Sequence, residues 1–297
     1  MGALAACGDR APAPSPPSPA AEAVSRLPGP TGPPAPAPAG PPASGDCGAG
    51  PASAAQANAA SLSALPINLF GRAETGWEIY APRAAREIGT TCEPGSPGFA
   101  AALARWQGKA GLAAGGIMTP ETLARMKRDW QLRRPFVVAS GKGVCPAPPA
   151  GSALESGRAG EGYGGKAVQL RPEAFAAYRR MAAAAKAERP EIAADPRNLT
   201  IFSAFRSPAY DAARCARDGN CNGVVRATCS PHRTGLAMDL YVGEAPGFGP
   251  DSTADPNRLA QSRGPAYRWL VENAERFGFA NYPFEPWHWE YVGGAGP

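Results

Sequence analysis

The chain has 297 residues, which is enough for one or two domains. Hydrophobic residues make up 44% of it, so a packed core can form, yet its 36 glycines and 35 prolines exceed average usage. The net charge of +5 is mild and the basic residues form no run, which argues against a nucleic-acid-binding protein. No stretch is long and apolar enough to be a transmembrane segment.

The excess of glycine and proline lies mainly at the N-terminus. Residues 1–65 consist largely of Pro, Ala, Gly and Ser, and runs such as residues 33–38 favour the extended polyproline conformation. Such a segment cannot bury enough apolar surface to offset the entropy lost on ordering. We therefore predict that residues 1–65 are a disordered tether.

Cysteine usage suggests an exported protein. The stretch Leu4–Cys7 resembles a bacterial lipobox, in which Cys7 would carry a lipid anchor. Only six residues precede Cys7, so either the true start lies upstream or this match is chance. Without Cys7 an even set remains, suited to three disulfides in an oxidising compartment: Cys47, Cys92, Cys145, Cys215, Cys221 and Cys229.

The pairing of these cysteines stays open. Cys92 and Cys145 flank the first predicted domain and could close it against the next. Cys215, Cys221 and Cys229 are close in sequence, so we expect one of them to pair with a distant partner such as Cys47.

Residues 66–140 are predicted to form a small helical domain. Phe99, Leu103 and Trp106 recur at helical spacing. A second helix begins with Thr119 as N-cap and Pro120 at the first helical position. Glycines between the two helices break the chain. A helical spacer with ordinary core packing is the simplest interpretation of this pattern.

This segment also resembles the helical peptidoglycan-binding domain that accompanies many cell-wall hydrolases. The resemblance rests on the pair Trp106–Gln107, on Gly111–Leu112 in a glycine-containing loop, and on the Thr119–Pro120 helix start. It implies that residues 66–140 contact the cell wall.

Residues 141–165 are rich in Gly and Pro and are predicted to be a linker. Residues 166–297 mix helices and strands without regular alternation, which indicates an α+β fold. The predicted helices and strands are, in chain order, a helix over Pro172–Glu188, a strand over Leu199–Phe205, a strand over Gly235–Val242, a helix over Gly264–Phe277 and a strand over Trp287–Val292.

The two histidines of the chain, His232 and His288, each lie near a carboxylate. Asp239 lies on one face of its predicted strand, and the apolar residues Met238 and Leu240 on either side of it lie on the other face. A carboxylate flanked by apolar residues is costly to bury unless it binds something. If the two strands are neighbours, His232, Asp239 and His288 can form a three-ligand zinc site, with Glu285 left as a base. The alternatives are histidines that are satisfied in a core or on the surface, and a Cys229–His232 ligand pair, although Cys229 is better explained by a disulfide.

Three motifs in order resemble the zinc D-alanyl-D-alanine carboxypeptidase and dipeptidase family of the vancomycin-resistance type (VanY-like). They are an aromatic-Arg-Ser at residues 205–207, Ser-x-His-x-x-Gly-x-Ala-x-Asp at residues 230–239, and Glu-x-Trp-His at residues 285–288. The resemblance covers residues 199–292. It implies a small antiparallel sheet flanked by helices in the catalytic domain, residues 166–297.

The resemblance also implies roles for individual residues. It implies Zn²⁺ as cofactor, held by three ligands: His232, Asp239 and His288. Glu285 would be the catalytic base, Arg206 would stabilise the tetrahedral intermediate, and Ser230 and Ser207 would bind substrate. In plainer alternatives, Arg206 is a surface ion-pair partner and Ser230 only shapes a turn. Glu290 is expected on the solvated face of the last strand.

The expected function is therefore a zinc peptidase that removes the terminal D-Ala of peptidoglycan stem peptides. One alternative is an endopeptidase that cuts cross-links or the L-Ala–D-Glu bond, because the cysteine-bearing stretch 215–229 could reshape the cleft. Another is a non-catalytic wall-binding protein, against which the intact Glu285 argues. We expect a monomer in the periplasm or cell envelope.

Overall fold

The computed structural model describes residues 46–219, 221 and 227–293, and all of them fall in one compact unit. Cys7 and most of the predicted tether lie outside the described residues. Within these ranges, none of the helices combines the length and apolarity that a bilayer span requires.

The N-terminal part of this unit is mainly helical. Thr119 is the N-cap of the helix Pro120–Leu132, as predicted: its side chain accepts a hydrogen bond from the Thr122 amide at 3.1 Å. An antiparallel pair of short strands, which the sequence did not predict, lies between the first and second helices. The helices and strands are α1 (Ala52–Ser61), β1 (Pro66–Asn68), β2 (Ala73–Thr75), α2 (Ala81–Ile88), α3 (Pro97–Lys109), α4 (Pro120–Leu132) and α5 (Pro135–Gly141).

Helix α1 lies inside the stretch predicted to be a disordered tether, so that prediction extended too far. Asn58 is fully buried and ties α1 to the loop before α4: it donates to the Gly116 carbonyl at 2.9 Å and accepts from the Met118 amide at 2.7 Å. The Cys47–Cys92 disulfide fixes the start of this region to the helical part. These tertiary contacts order an Ala-rich segment whose composition alone would not.

The C-terminal part contains a four-stranded antiparallel sheet with helices around it, which confirms the predicted α+β class. Its strand order is β5-β6-β8-β7. The helices and strands are β3 (Glu155–Ser156), β4 (Gln169–Leu170), α6 (Pro172–Glu188), α7 (Pro190–Ala194), β5 (Ile201–Ser203), α8 (Pro208–Asp218), β6 (Ala237–Leu240), α9 (Asp255–Arg263), α10 (Pro265–Asn273), β7 (Phe279–Asn281) and β8 (His288–Tyr291).

Most predicted elements of this part are present with shorter strands. Helix α6 has the predicted bounds, whereas the predicted helix over Gly264–Phe277 is α10 followed by a 3₁₀ turn over Ala274–Phe277. Met238 and Leu240 of β6 are fully buried in the core that α6 and α10 cover. Strand alternation therefore turns Asp239, between them, to the opposite face.

Buried polar contacts join the helical part to the sheet part. Arg258 of α9 is fully buried; it forms an ion pair with Glu74 of β2 and donates to the Tyr80 hydroxyl at 2.7 Å. Its Nε also donates to the Phe284 carbonyl at 2.8 Å. Phe284 precedes Glu285 in the chain, so this network supports the loop that carries the predicted base.

Two disulfides are present among the described residues. Cys47 pairs with Cys92, and Cys145 pairs with Cys229. The suggested link between Cys47 and the C-terminal cysteines is therefore wrong, although the assignment of Cys229 to a disulfide is confirmed. Cys215 and Cys221 are thiols, and a hydrogen bond between them raises the pKa of Cys215 to about 11.

Candidate metal centre

The pairing of β6 with β8 brings two predicted ligands together. In this antiparallel ladder Asp239 stands directly opposite His288. Side chains opposite each other lie on one face of the sheet, within contact distance. His288 Nδ1 accordingly lies 2.8 Å from Asp239 Oδ1, and both residues are buried. The adjacency of these two strands, on which the predicted site depended, is present in the structure.

His232 reaches the same point from a 3₁₀ turn over Pro231–Thr234. His232 Nδ1 lies 2.7 Å from the Ala204 carbonyl, so this nitrogen carries the proton and Nε2 is left as a lone-pair donor. The turn closes through Gly235 with φ +71, where an added Cβ would lie 2.9 Å from Leu154. Glycine is needed here to fold His232 back toward β6.

The three ligand atoms match the dimensions of a zinc site. His232 Nε2 lies 3.2 Å from His288 Nδ1 and 3.2 Å from Asp239 Oδ1. With bonds of roughly 2.0–2.2 Å, two ligands of a tetrahedral zinc ion are about 3.3–3.5 Å apart. The observed triangle is slightly smaller than that face. These residues can therefore hold a zinc ion with little movement.

The surroundings shift the pKa values of the three candidate ligands in different directions. Burial, together with the charge of Arg206, lowers the pKa of His232 to about 4. Burial works to raise the pKa of Asp239, but the two histidines hold it well below its usual value. Burial alone would lower the pKa of His288, yet hydrogen bonds to Asp239 and Glu290 outweigh it and raise the pKa to about 9. Of these three residues, only His288 therefore has a proton to lose at neutral pH.

Metal binding is expected to displace that proton. Ligation needs a bare ring nitrogen, so binding at neutral pH should release one proton from Nδ1 of His288, and a fraction of one from Glu285, whose pKa of about 7 a bound cation lowers. Calorimetric titration with Zn²⁺ in buffers of different ionisation enthalpy measures this number. The E290Q variant, which removes one contact that raises the pKa of His288, should release fewer protons. A buffer-independent binding enthalpy would contradict the assignment.

Glu285 lies in the loop before β8 and lines the cleft beside the three ligands. Its backbone amide donates to the Tyr282 carbonyl at 2.9 Å, and its carbonyl accepts from the His288 amide at 2.9 Å. These two bonds fix its position three residues before a ligand. Burial raises the pKa of Glu285 to about 7, which suits a group that exchanges protons near neutral pH.

Arg206 is held at the edge of the centre by a polar network. Its Nε donates to Asp211 at 2.8 Å, and its Nη1 donates to Ser203 at 2.6 Å and lies 3.7 Å from Asp239 Oδ2. Ser230 is buried and donates its hydroxyl proton to the other oxygen of Asp211 at 2.5 Å. The guanidinium is thus fixed beside the ligands rather than paired on an open surface.

The two serines predicted to bind substrate have defined protein contacts. Ser207 is the N-cap of α8 and accepts a hydrogen bond from the Tyr210 amide at 3.2 Å. Ser230 supports Asp211, a residue that the sequence analysis did not single out. Both serines nevertheless line the cleft. Asp211 could have been found only by its spacing, one turn into the helix that follows Arg206 and Ser207.

Glu290 is not on a solvated face, contrary to prediction. It is 3% exposed, and its Oε1 lies 3.1 Å from His288 Nε2 and accepts from Arg134 Nε at 2.9 Å. Burial works to raise its pKa, but Arg134 and His288 hold the pKa at about 2. Arg134, from the helical part of the chain, covers the face of β8 that carries Glu290. The sequence of β8 alone does not indicate this contact.

The centre opens into a cleft of about 940 Å³. Residues of both parts of the chain line it. Those from the helical part are Gln131, Arg134, Phe136, Val137 and Ser140. The charged residues of the lining are of both signs: Arg134, Lys166, Arg206, Arg214 and Arg217 on one hand, and Asp211, Asp239, Asp251 and Glu285 on the other. Such a lining suits a polar, charged substrate such as a peptide.

The model of the VanY D-alanyl-D-alanine carboxypeptidase family matches residues 167–294. This segment is a VanY-family domain. The family predicted from the three motifs is thereby confirmed. The likeness of residues 66–140 to a peptidoglycan-binding domain, and the predicted linker over residues 141–165, stay predictions. A search of curated proteins found no match.

Solved structures similar to the chain include the LD-carboxypeptidase LdcB, with 27% identity over 42% of this chain and 60% of that one and a TM-score of 0.30. The chain thus spans less than two thirds of that protein. A VanY D,D-pentapeptidase in complex with Zn(II) is 22% identical in sequence, and the match covers 50% of this chain and 83% of that one, with a TM-score of 0.29. VanYB in complex with D-alanine-D-alanine is 23% identical in sequence, and the match covers 49% of this chain and 82% of that one, with a TM-score of 0.28.

Proposed function

We propose that the protein is a zinc D,D-carboxypeptidase that removes the terminal D-Ala from peptidoglycan stem peptides. The observation that carries the proposal is the triangle of His232, Asp239 and His288 inside a VanY-family domain, with ligand atoms 2.8–3.2 Å apart. Glu285 beside the triangle supports a hydrolase over a purely wall-binding protein.

The residues divide the chemistry among them. Zinc, when bound by the three ligands, supplies a Lewis acid that acidifies water and polarises a carbonyl. Glu285 takes a proton from the attacking water and later delivers it to the leaving amine nitrogen. Arg206, held by Asp211, offers its guanidinium to the oxyanion that develops on the scissile carbonyl.

Mass spectrometry of purified muropeptides after incubation with the enzyme tests this function. We expect pentapeptides to lose a single alanine mass, and a chelator to stop the reaction until Zn²⁺ is restored. Asp239→Asn, which removes an anionic ligand, should be inactive in the same assay. Dimers split to monomers would instead indicate an endopeptidase, and no change in any muropeptide would refute a hydrolase.

A further inference from the structure

His288 is held on the side away from the ligand triangle by Glu290. Alternate residues of a strand point the same way, so β8 puts both side chains on one face. Nδ1 of His288 faces Asp239 and His232, while Nε2 lies 3.1 Å from Glu290 Oε1. A carboxylate in this position fixes the tautomer and the ring orientation of a ligating histidine.

Glu290 is in turn clamped by Arg134. Nε and Nη2 of Arg134 both donate to Glu290 Oε1, the former at 2.9 Å. Nη1 donates to Gln131 at 2.7 Å, and the guanidinium carbon lies 4.5 Å from the centre of the Tyr282 ring. Arg134 is 4% exposed and Glu290 is 3% exposed. A buried, doubly hydrogen-bonded carboxylate has little freedom to leave His288.

Arg134 does not belong to the VanY-family domain. It lies between α4 and α5, 156 residues before Glu290 and outside residues 167–294. It precedes Pro135, which begins α5, so its backbone is set by a helix boundary. The helical part therefore supplies the outermost member of a chain of contacts that ends at the ligand triangle.

We propose that Arg134 is a positioning residue for the metal ligand His288 and acts through Glu290, so that the helical part of the chain tunes the metal affinity of the catalytic domain. This inference rests on the proposed zinc centre. Without Arg134, the buried Glu290 carboxylate would lose the two hydrogen bonds that hold it in place, and it would move toward water. That movement loosens the histidine ring.

The test compares zinc affinities, measured by competition with a chromophoric chelator at fixed pH. R134Q and E290Q are expected to bind Zn²⁺ about 10- to 100-fold more weakly than the wild type. R134K, which keeps the charge but not the fork of donors, should lose less. R72Q is the matched control, because it breaks the Arg72–Asp255 ion pair, which also joins the helical part to the sheet part. The side chains of that pair are 37% and 45% exposed, so R72Q should leave zinc affinity unchanged.

A paired apolar replacement separates positioning from plain stability. Replacing a buried ion pair by apolar residues of similar volume is often neutral for folding. R134M/E290M should therefore recover the melting temperature of the wild type but still bind Zn²⁺ weakly, and its Co²⁺ complex should have an altered visible absorption spectrum. Normal zinc affinity in R134M/E290M, or in R134Q relative to R72Q, would overturn the proposal.

The two proposals fail in different ways. A wild-type protein that does not bind Zn²⁺ at the three ligands removes the zinc hydrolase itself. A wild type that binds Zn²⁺ and trims muropeptides, alongside variants of Arg134 with unchanged affinity, removes only the positioning role.

Discussion

Glu285→Gln is expected to lower kcat about 100- to 10,000-fold, because an amide cannot take the proton of the attacking water. The substitution is nearly isosteric, and Glu285 is outside the ligand triangle, so bound zinc should remain at the wild-type level. Turnover of a stem pentapeptide and metal content by atomic absorption measure the two quantities separately.

The pH profile gives a second readout for the same residue. A base must be ionised, so the activity of the wild type should fall as the pH drops through the pKa of Glu285, which burial raises to about 7 in the metal-free protein. A bound cation opposes the effect of burial and lowers that pKa. E285Q should lack this acid limb. The exposed Glu121→Gln, on the first turn of α4, is the control; wild-type turnover in E285Q would exclude the base role.

Arg206→Gln should reduce kcat about 100- to 1,000-fold with a smaller change in KM, because charge stabilisation of an oxyanion acts mainly in the transition state. The fixed position of Arg206, bonded to Asp211 and Ser203 and 3.7 Å from Asp239, supports this large effect. Steady-state kinetics with the same pentapeptide provide the measurement.

Two companion variants sharpen the result for Arg206. Asp211→Asn leaves the guanidinium in place but weakens its support, so a partial loss of kcat is expected. Arg197→Gln removes an exposed arginine that pairs with Asp195 and should be silent. An increase in KM with kcat preserved in R206Q would instead assign Arg206 to ground-state binding of the substrate.

The features predicted well from the sequence were those set by local patterns. Helix α6 follows from an apolar stripe bounded by a proline at its first position, and the caps of α4 from Thr119 and Pro120. The sequence allows His232, Asp239 and His288 to be proposed as ligands because it has just two histidines and each lies near a carboxylate. Their convergence also required β6 and β8 to be neighbours, which the family motifs implied and the spacing alone did not.

The features that were missed depend on contacts distant in the chain. Helix α1 is ordered by Asn58 and by the Cys47–Cys92 disulfide, neither of which leaves a periodic signal. The sequence predicts an exposed Glu290, because strand alternation shows which residues share a face but not which other part of the chain covers that face. Its cover, Arg134, comes from another part of the molecule. Asp211 was overlooked because a carboxylate in the first turn of a helix is ordinary.

The Cys145–Cys229 disulfide gives the molecule a safeguard against proteolysis. It joins the stretch after α5 to a residue three positions before His232, across a separation of 84 residues. A protease that nicked the intervening surface loops would leave both fragments covalently attached. Separation of the helices from the sheet would then require cleavage and a reductant together, so Arg134 would stay attached to the part that carries Glu290 in a clipped molecule.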